Sequence, residues 1–364
     1  MHILEISYRD PYGNQGAGVE SYILKLADFL KSNGNTVDIA YATESRSNPE
    51  NPVVVYVPHF IWKIGMAKFY YNLRLYFIVR KNRSIYDIIH INGDNGTLIP
   101  YIKRIKTVMT LHGSTSETVR LKSPELTSKY ILSYVINSID GLLEEIACRK
   151  SNEVISVSKH TADYFRNITR REDIKVINTC ISPPNAMNNN FQVIDDLKTS
   201  GNIICLWVGR DPIRKGLNIA KNAIKDLNNI TLVTAGYKDE VKQGNVVNLG
   251  YVDNDLLQAL YHITDIFLFP SANEGFSIGL LEAMSYGCIP VVFSIPSTTE
   301  LLENGKNGFL VHNAKDFRET LIYLIKHKPA LGKLKQAAMV RASGYYCSKI
   351  LPKTLEIMEQ LSRF

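Results

Sequence analysis

The feature that most constrains this chain is an alternation of short apolar runs with helix-period segments, which occurs twice along its length. Such alternation is typical of an α/β fold with mostly parallel sheets. In the first half, the segment Val19–Lys31 is predicted to be helical and to follow the first strand. The strands predicted there are His2–Tyr8, Thr36–Ala42, Ile88–Ile91, Thr107–Leu111 and Glu153–Val157.

The same pattern begins again in the second half, after a stretch rich in Asn, Pro and Ser at Thr179–Ser200 that predicts a loop and linker. Three helix-period stretches follow about Asp316. The predicted strands are Ile203–Val208, Thr231–Ala235, Val246–Tyr251, Ile266–Phe269 and Ile289–Phe293, and the predicted helices are Gly216–Leu227, Asp255–His262 and Ile278–Ser285.

Together these segments predict two doubly wound, Rossmann-like α/β domains, residues 1–183 and 184–349, facing each other across a cleft. A C-terminal helix at about 350–364 could pack back on the first domain. Open α/β sheets bind ligands at the carboxyl ends of their strands, and domain interfaces are favoured ligand sites. We therefore expect ligands to bind between the two halves.

Composition excludes several classes of protein. Hydrophobic residues make up 45% and charged residues 21% of the 364 residues, which is ordinary globular usage. The net charge of +7 fits phosphate-bearing ligands or an anionic membrane surface. It is too small to indicate nucleic acid, for which no motif is present. The segment MHILEISYRD predicts a first strand rather than a secretory signal. The sequence contains no window of 18 apolar residues, so no transmembrane helix is predicted.

The five cysteines are scattered along the chain and form neither a CxxC motif nor a Cys/His pair with zinc spacing. Their odd number and spacing favour a reducing compartment and argue against a structural zinc site. The cysteines are Cys148, Cys180, Cys205, Cys288 and Cys347.

A glycine-rich segment from Gly13 to Gly18 follows the first predicted strand and precedes the first helix. It could be a flexible turn, or it could bring backbone N–H groups close to an anion. A dinucleotide-binding fingerprint is a further alternative, with Glu44 as the ribose-binding acid. However, Ser21 stands where the third glycine belongs.

Two motifs in the second half combine a strand end, a loop and a helix start. In the first, Gly209 and Arg210 begin a loop that ends with Lys215 and Gly216, and its cations could hold a diphosphate. A solvated basic turn is the alternative. In the second, Glu274 lies in a loop and Glu282 lies eight positions later, inside the predicted helix. Carboxylates there would accept hydrogen bonds from hydroxyl groups, and the helix start would hold phosphate. Taken singly, each could be an ordinary surface glutamate.

With these motifs in order, the chain resembles the family 4 retaining glycosyltransferases, which have the GT-B fold. EGFSIGLLEAMSYGCIPVV is similar to the family's EX7E signature, and GRDPIRKG resembles its donor loop. The glycine-rich opening, DIIH at 87–90 and TLHG at 110–113 resemble its N-terminal stretches. Two positions depart from the family pattern. Ala17-Gly18 stands where the family usually has a Gly-Gly pair before the first helix, and the Asn-Gly that is common near the linker is absent. The resemblance covers almost the whole chain.

The resemblance implies specific roles. Arg210 and Lys215 would neutralise the donor diphosphate, Glu274 would hold hydroxyls of the transferred sugar, and His112 would lie near the reacting carbon or the acceptor. Glu282 would hydrogen-bond the ribose. Contacts to sugar, phosphate or base would come from Gly209, Gly250, Tyr251, Gly275, Phe276, Ser277, Ile278 and Gly279, and an acceptor or phosphate loop would come from Gly16, Ala17 and Gly18.

No metal is expected at the triplet Asp253-Asn254-Asp255, although a DxD triplet holds a divalent cation in another glycosyltransferase fold. The triplet directly precedes an apolar helix-period run, which predicts that Asp253 or Asp255 is a helix N-cap. Cationic side chains and helix N-termini would then replace a metal at the diphosphate. No cofactor is therefore expected.

A basic, aromatic-rich stretch extends from Asn51 to Tyr86 without a single Asp or Glu. Such a stretch is typical of an interfacial helix on an anionic membrane, although packing of its aromatic face in the core is an equal alternative. The residues predicted to face the membrane are Trp62, Lys63, Lys68, Arg74, Arg80 and Lys81.

With these motifs, the resemblance implies a hexosyltransferase that moves a sugar from a nucleotide-diphosphate sugar, with UDP-sugars favoured, to a glycan or lipid-linked acceptor. It would work in the cytoplasm, peripherally on the inner face of the membrane. The alternatives are a sugar-nucleotide epimerase, a phosphorylase and a non-catalytic sugar-nucleotide binding protein. A nicotinamide-dependent oxidoreductase is a further one, but it would leave the Arg/Lys loop and the two glutamates unexplained.

Overall fold

The computed structural model describes residues 1–13, 18–44, 53–121, 128–186, 191–238 and 240–363. These residues form two compact units. The N-terminal unit comprises Met1–Thr179 together with Ser348–Phe364, and the C-terminal unit comprises Cys180–Cys347. The chain therefore passes between the units twice, after Thr179 and after Cys347. The boundaries expected from the sequence were 183/184 and about 350.

The N-terminal unit is built around a parallel sheet whose strand order is β2-β1-β5-β6-β7-β8. Strands β5 and β6 are buried along their whole length, as expected for a sheet covered on both faces. A short parallel pair, β3 and β4, lies outside it. The strands are β1 (His2–Ile6), β2 (Thr36–Ala40), β3 (Ala42–Thr43), β4 (Val55–Tyr56), β5 (Ile88–Asn92), β6 (Thr107–Leu111), β7 (Glu153–Ser156) and β8 (Lys175–Val176).

Helices connect these strands, and the core between helices and sheet includes Leu4, Ile91 and Phe165. One helix, α6, begins at the N-cap Ser158, whose hydroxyl accepts from the Thr161 backbone N–H. The helices of this part of the chain are α1 (Gly18–Ser32), α2 (His59–Lys63), α3 (Ala67–Lys81), α4 (Thr115–Leu121), α5 (Ser128–Lys150) and α6 (Lys159–Thr169).

The C-terminal unit contains a second sheet in the order β11-β12-β10-β9-β13-β14-β15, parallel except for the edge pair β11 and β12. Trp207 and Phe317 are among the largest side chains of its core. The strands are β9 (Ile203–Val208), β10 (Ile230–Ala235), β11 (Glu240–Gln243), β12 (Val246–Leu249), β13 (Ile266–Phe269), β14 (Ile289–Phe293) and β15 (Phe309–Val311).

The remaining helices, with the exception of the last, belong to the C-terminal unit. Helix α14 begins at Cys347, and from Ser348 onward it belongs to the N-terminal unit. The Lys106 ammonium donates to the Ser362 carbonyl near the end of that helix at 2.8 Å. The helices are α7 (Gln192–Thr199), α8 (Leu217–Ile224), α9 (Asn254–Ile263), α10 (Ile278–Ser285), α11 (Pro296–Leu301), α12 (Ala314–Lys326), α13 (Leu331–Ser343) and α14 (Cys347–Ser362).

Two sequence-based expectations are wrong. The predicted linker Thr179–Ser200 contains helix α7, because Ile194 and Leu197 are spaced to bury one face of a helix. The scattered cysteines predicted a reducing compartment, in which disulfides are rare, whereas Cys180 and Cys347 form a disulfide with a Cα–Cα distance of 4.8 Å. Their 167-residue separation hid this pair from any local motif.

In the part of the chain that the structure describes, none of the helices combines the length and the apolar character required to cross a bilayer.

Candidate active site

Both sheets reverse their strand order beside the first strand of the unit, and such switch points are where open α/β sheets bind ligands. In the N-terminal unit β1 lies between β2 and β5, and in the C-terminal unit β9 lies between β10 and β13. Most of the residues singled out in the sequence follow the carboxyl ends of β1, β6, β9, β12 and β13. The topology of each unit therefore gathers its own set of predicted residues at one sheet edge.

The loop after β9 is held tightly against the loop after β13. Gly216 has φ = 66°, and a Cβ atom there would lie 2.3 Å from the Pro270 carbonyl oxygen. No other residue fits that approach without moving the backbone. The indole N–H of Trp207 also donates to the Lys215 carbonyl at 3.0 Å. Buried packing thus fixes the backbone from which Lys215 extends.

Two cations of this loop meet one carboxylate of the other. The Oε1 atom of Glu274 lies 2.7 Å from Lys215 Nζ and 3.0 Å from an Arg214 guanidinium nitrogen. It also accepts from the Ser271 hydroxyl at 2.8 Å. Lys215 Nζ further lies 4.8 Å from the centroid of the Phe269 ring. We call Arg214, Lys215, Ser271 and Glu274 the Glu274 cluster.

Arg214 is a third cation of the sequence GRDPIRKG, and the resemblance assigned it no role of its own. The structure brings it to Glu274 beside Lys215, whereas Arg210 has an exposed side chain on the same loop. Nearly half of the Arg214 side chain is exposed, against 17% for Lys215 and 13% for Glu274. The cluster therefore has a solvent-facing cation beside a largely buried ion pair.

Helix α10 begins directly after this cluster. The hydroxyl of its N-cap Ser277 accepts from the Leu280 N–H, and Phe276 is buried with its ring centroid 5.8 Å from that of Tyr345. A helix start offers backbone N–H groups to an anion, and here those of Ile278 and Gly279 lie in the first turn. Glu282 is partly buried within the same helix, and Gly275 is partly exposed in the loop before it.

The segment after β12 presents an exposed aromatic ring. Gly250 is in the left-handed region with φ = 66°, and its carbonyl accepts from the Gly236 N–H at 2.7 Å. The next residue, Tyr251, is 66% exposed. A ring held out by a fixed turn suits stacking on a planar base.

The N-terminal unit contains a buried chain of hydrogen bonds that ends at His112. The His112 Nε2 atom lies 3.0 Å from Asn92 Oδ1, and the Asn92 amide donates to Glu5 Oε2 at 3.2 Å. Glu5 Oε2 lies 2.7 Å from His90 Nδ1, and His90 Nε2 lies 2.7 Å from the Thr110 hydroxyl. We call these five residues the His112 network.

Burial governs the protonation of His112. It lowers the pKa of His112 to about 3, with a further lowering from nearby His90 and an opposing effect from Asp94. The ring is therefore neutral at physiological pH. A neutral imidazole has one N–H and one nitrogen that accepts a hydrogen bond.

A second polar group lies at the same edge of this sheet. Lys68 forms ion pairs with Asp94 and, at 3.7 Å, with Asp140, and the Thr115 hydroxyl donates to Asp94 at 3.1 Å. Glu144 accepts from the Thr115 N–H at 3.0 Å. Burial, followed by the charge of Asp94, raises the pKa of Glu144 well above its usual range.

Sequence reasoning missed most of this group and of the His112 network. Asp94 follows β5 in the segment Asn92-Gly93-Asp94, as Thr115 follows β6. Polar residues that follow two neighbouring parallel strands lie at the same edge of the sheet, and this pattern was the sequence signal that could have predicted the group. Lys68, which was expected to face a membrane, belongs to this interior group instead, because two carboxylates hold its ammonium.

Other predicted residues have simpler outcomes. Gly16 and Ala17 lie outside the described residues, and Gly18 is the first residue of α1. Asp253 is the N-cap of α9, and it accepts from the Leu256 N–H at 2.8 Å, which confirms the predicted cap. Over the described ranges, no three His, Cys, Asp or Glu side chains are grouped so that they could hold a metal ion.

The basic, aromatic stretch forms helices α2 and α3, and its side chains divide between core and surface. Trp62 packs on the core, with its indole N–H donating to the Val57 carbonyl at 3.2 Å. The cations Lys63, Arg74, Arg80 and Lys81 are exposed. The apolar side chains exposed beside them are Phe60, Ile64, Phe69, Leu73 and Phe77. We call these exposed residues the α2–α3 surface.

Comparison with known proteins adds independent evidence. Residues 16–183 match the family described as Glycosyltransferase Family 4, and residues 190–341 match Glycosyl transferases group 1. An uncharacterised glycosyltransferase of Methanocaldococcus jannaschii is 28% identical over 343 residues, covering 81% of each chain. An alpha-monoglucosyldiacylglycerol synthase of Acholeplasma laidlawii is 21% identical over 94% of this chain and 93% of its own.

Solved structures with low sequence identity share the fold. Sucrose-phosphate synthase from Thermosynechococcus elongatus aligns with a TM-score of 0.80 at 17% identity, covering 99% of this chain and 98% of its own. HepE of Anabaena in complex with UDP-glucose aligns with a TM-score of 0.73 at 18% identity, covering 99% and 100%. These likenesses confirm the predicted GT-B fold.

The two family matches follow one another along the chain in the order that the sequence motifs predicted. The expected enzyme class, a glycosyltransferase of hexosyltransferase type, is confirmed with them. The chain belongs to the family 4 glycosyltransferases.

Proposed function

We propose that this enzyme transfers a hexose, with retention of configuration, from a UDP-sugar to a glycan or lipid-linked acceptor, without a metal ion. The Glu274 cluster carries the proposal, because it places two cations and a carboxylate at the carboxyl ends of β9 and β13. Cations suit a diphosphate, and a carboxylate suits sugar hydroxyls. UDP is chosen because HepE, which has a similar fold, was solved with UDP-glucose.

In the proposed reaction, the bond between the anomeric carbon and the diphosphate oxygen breaks. A bond from that carbon to the acceptor hydroxyl oxygen forms on the same face of the sugar. The hydroxyl proton passes to an oxygen of the leaving diphosphate, so that the products are a glycoside and a nucleoside diphosphate. Lys215, Arg210 and the start of α10 would stabilise the charge that develops on the leaving group.

Binding of the donor would also change the partners within the Glu274 cluster. Lys215 and Arg214 now share one carboxylate oxygen. A diphosphate brings more negative charge than that carboxylate, so both cations would turn toward it. Glu274 would then be free to accept hydrogen bonds from hydroxyls of the transferred sugar.

The test is calorimetric titration with UDP-, GDP- and ADP-sugars and with NAD(H), all in EDTA. We expect one UDP-sugar to bind without metal and to bind more weakly to Glu282→Ala. Glu319→Ala, which alters an exposed glutamate of the same unit, is the matched control. Binding of NAD(H) alone would overturn the proposal. Binding of a nucleotide sugar without transfer to any acceptor would favour a non-catalytic binding protein.

We further propose that the enzyme works at the cytoplasmic face of an anionic membrane, through the α2–α3 surface. Five exposed aliphatic and aromatic side chains lie there among exposed cations. Each cation near an anionic leaflet contributes about 1 kcal/mol to binding. The name of the Acholeplasma laidlawii relative, a glucosyldiacylglycerol synthase, supports a lipid acceptor.

Vesicle sedimentation tests this attachment. We expect sedimentation with anionic vesicles, little with neutral ones, and a loss of binding in the double variant Phe69→Ser with Phe77→Ser. Val340→Ser is the control, because Val340 is an exposed apolar residue of the C-terminal unit. Equal sedimentation of both variants would contradict the proposed surface.

A further inference from the structure

The His112 network determines which nitrogen of the His112 ring carries the proton. The evidence begins with the Asn92 side chain, whose amide nitrogen is close to two acceptors. It lies 3.2 Å from Glu5 Oε2 and 3.2 Å from the Ile6 carbonyl oxygen. Neither a carboxylate nor a carbonyl oxygen donates a hydrogen bond. The NH₂ group of Asn92 must therefore face Glu5 and Ile6.

This orientation fixes the other end of the amide. With its nitrogen held by Glu5 and Ile6, Asn92 directs Oδ1 toward His112 Nε2 at 3.0 Å. An amide oxygen accepts and cannot donate, so the proton of the neutral His112 ring must reside on Nε2. The Nδ1 atom is then the one ring nitrogen with a free lone pair.

Glu5 is itself held in place by burial and by pairing. Its side chain and that of His90 are fully buried, and His90 Nδ1 lies 2.7 Å from Glu5 Oε2. Glu5 and His90 face each other in the register of β1 and β5, and Asn92 faces Thr110 in the register of β5 and β6. The orientation of the amide is therefore set by the sheet.

We propose that Asn92 and Glu5 are positioning residues that hold His112 as the Nε2-protonated tautomer, so that its Nδ1 accepts a hydrogen bond from a sugar hydroxyl. This inference rests on the proposed transfer of a sugar at the site. An unprotonated nitrogen favours a hydroxyl over a phosphate oxygen, since the latter has no proton to donate. His112 then selects for a hydroxylated sugar and takes no part in binding the diphosphate.

The test is nitrogen NMR of protein labelled with ¹⁵N-histidine, with the His112 signals assigned by their loss in His112→Gln. We expect the wild-type protein to show a protonated Nε2 and an unprotonated Nδ1 between pH 5 and pH 8. The titratable groups near the ring are His90, Asp94 and Tyr22, whose ring centroid lies 5.2 Å from that of His112. His90 and Asp94 act in opposite directions on the pKa of His112. A His112 ring protonated on Nδ1, or one that titrates near neutral pH, would overturn the proposal.

Two variants separate positioning from mere stability. Asn92→Leu removes the acceptor of Nε2, so we expect a mixture of tautomers. We also expect a kcat for sugar transfer lower by roughly tenfold or more, with the donor KM little changed. Asn92→Asp keeps an acceptor oxygen for Nε2. Because two carboxyl groups in contact cannot both ionise, it would share one proton with Glu5, and we expect it to restore protonation of Nε2. Unchanged His112 signals in Asn92→Leu would also overturn the proposal.

The matched control is Asn72→Leu. Asn72 is another buried asparagine of the N-terminal unit, and it accepts from the Gly96 N–H at 2.7 Å rather than contacting His112. We expect it to lower stability without changing the His112 signals; the same change of tautomer in this variant would contradict the proposal. The NMR spectra require no substrate, so they test the tautomer of His112 independently of the reaction. Absence of sugar transfer would count against the proposed function and would leave the measured tautomer unaffected.

Discussion

The Glu274 cluster and the His112 network use similar groups in different surroundings. In the Glu274 cluster the three charged side chains are between 13% and 48% exposed, and two cations share one oxygen of a carboxylate. In the His112 network Glu5 and His90 are fully buried. Charges interact more strongly where water is excluded, and unpaired groups there are costly. The first cluster can therefore exchange its partners for a ligand, whereas the second fixes an orientation.

The two units also differ in the long-range contacts that stabilise them. The C-terminal unit is closed at its first and last residues by the Cys180–Cys347 disulfide. In the N-terminal unit, buried hydrogen bonds such as the one between Glu5 and His90 connect neighbouring strands. The sequence contains two tryptophans, Trp62 in the N-terminal unit and Trp207 in the C-terminal unit. Replacing one with phenylalanine makes the fluorescence of the other a reporter for its own unit.

The largest expected effect comes from Glu5→Leu, measured in a Trp207→Phe background. The variant leaves the His90 ring and the Asn92 amide without their acceptor, so we expect the free energy of unfolding to fall by about 3–5 kcal/mol. Urea unfolding followed by Trp62 fluorescence measures it. Glu274→Gln in the Trp62→Phe background should cost about 2 kcal/mol or less, because Gln keeps an acceptor for Ser271. Equal losses would remove the distinction between the two clusters.

Loss of the disulfide should have the next largest effect. Cys180→Ser combined with Cys347→Ser frees the ends of the C-terminal unit in the unfolded chain, and we expect a loss of about 3 kcal/mol. Trp207 fluorescence in a Trp62→Phe background reports it. Thiol counting in denaturant should find three free thiols before reduction and five after it. Addition of a reductant to the double variant should change nothing, and a change would assign the effect to another cause.

Measurements of sugar transfer should also distinguish the two clusters, because a change in the Glu274 cluster should lower kcat without loss of the fold. Lys215→Ala removes a cation of the proposed diphosphate site, so we expect kcat to fall by roughly a hundredfold. The fold should remain, as judged by the unfolding midpoint of the C-terminal unit. Lys225→Ala, an exposed lysine of the same unit, is the control. A rate for Lys215→Ala close to that of the wild type would contradict its role in stabilising the leaving group.

Much of the fold was predictable because buried strands are locally encoded. Strands β9, β13 and β14 and helix α10 have the bounds that their apolar runs predicted. The Glu274 cluster was partly predictable for the same reason, since its loops directly follow two of those strands. Arg214 illustrates the limit, because its contact with Glu274 depends on how the two loops pack.

The His112 network lay beyond sequence reasoning. Glu5 lies in an apolar strand, and the register that sets it opposite His90 joins positions 85 residues apart. The pairing of Cys180 with Cys347 joins positions still farther apart in sequence. Helix α5 was not predicted either, because its long polar and apolar pattern carries no strong start signal. Contacts between distant segments, rather than local propensity, account for these omissions.

The smallest of the expected effects concerns pH, and it acts on the N-terminal unit alone. The pKa of His112 is about 3 in the folded protein, below its ordinary value, so the unfolded chain binds more protons between these values. Stability from this group is present above the unfolded pKa of about 6.5 and is lost as pH falls toward 3. Acidification from about pH 7 to pH 5 should therefore cost about 2 kcal/mol. Urea unfolding of Trp207→Phe at the two pH values measures this loss. In His112→Gln, the free energy of unfolding should change less between the two pH values, by that amount. An equal change in both proteins would show that the His112 ring is not kept neutral by its surroundings.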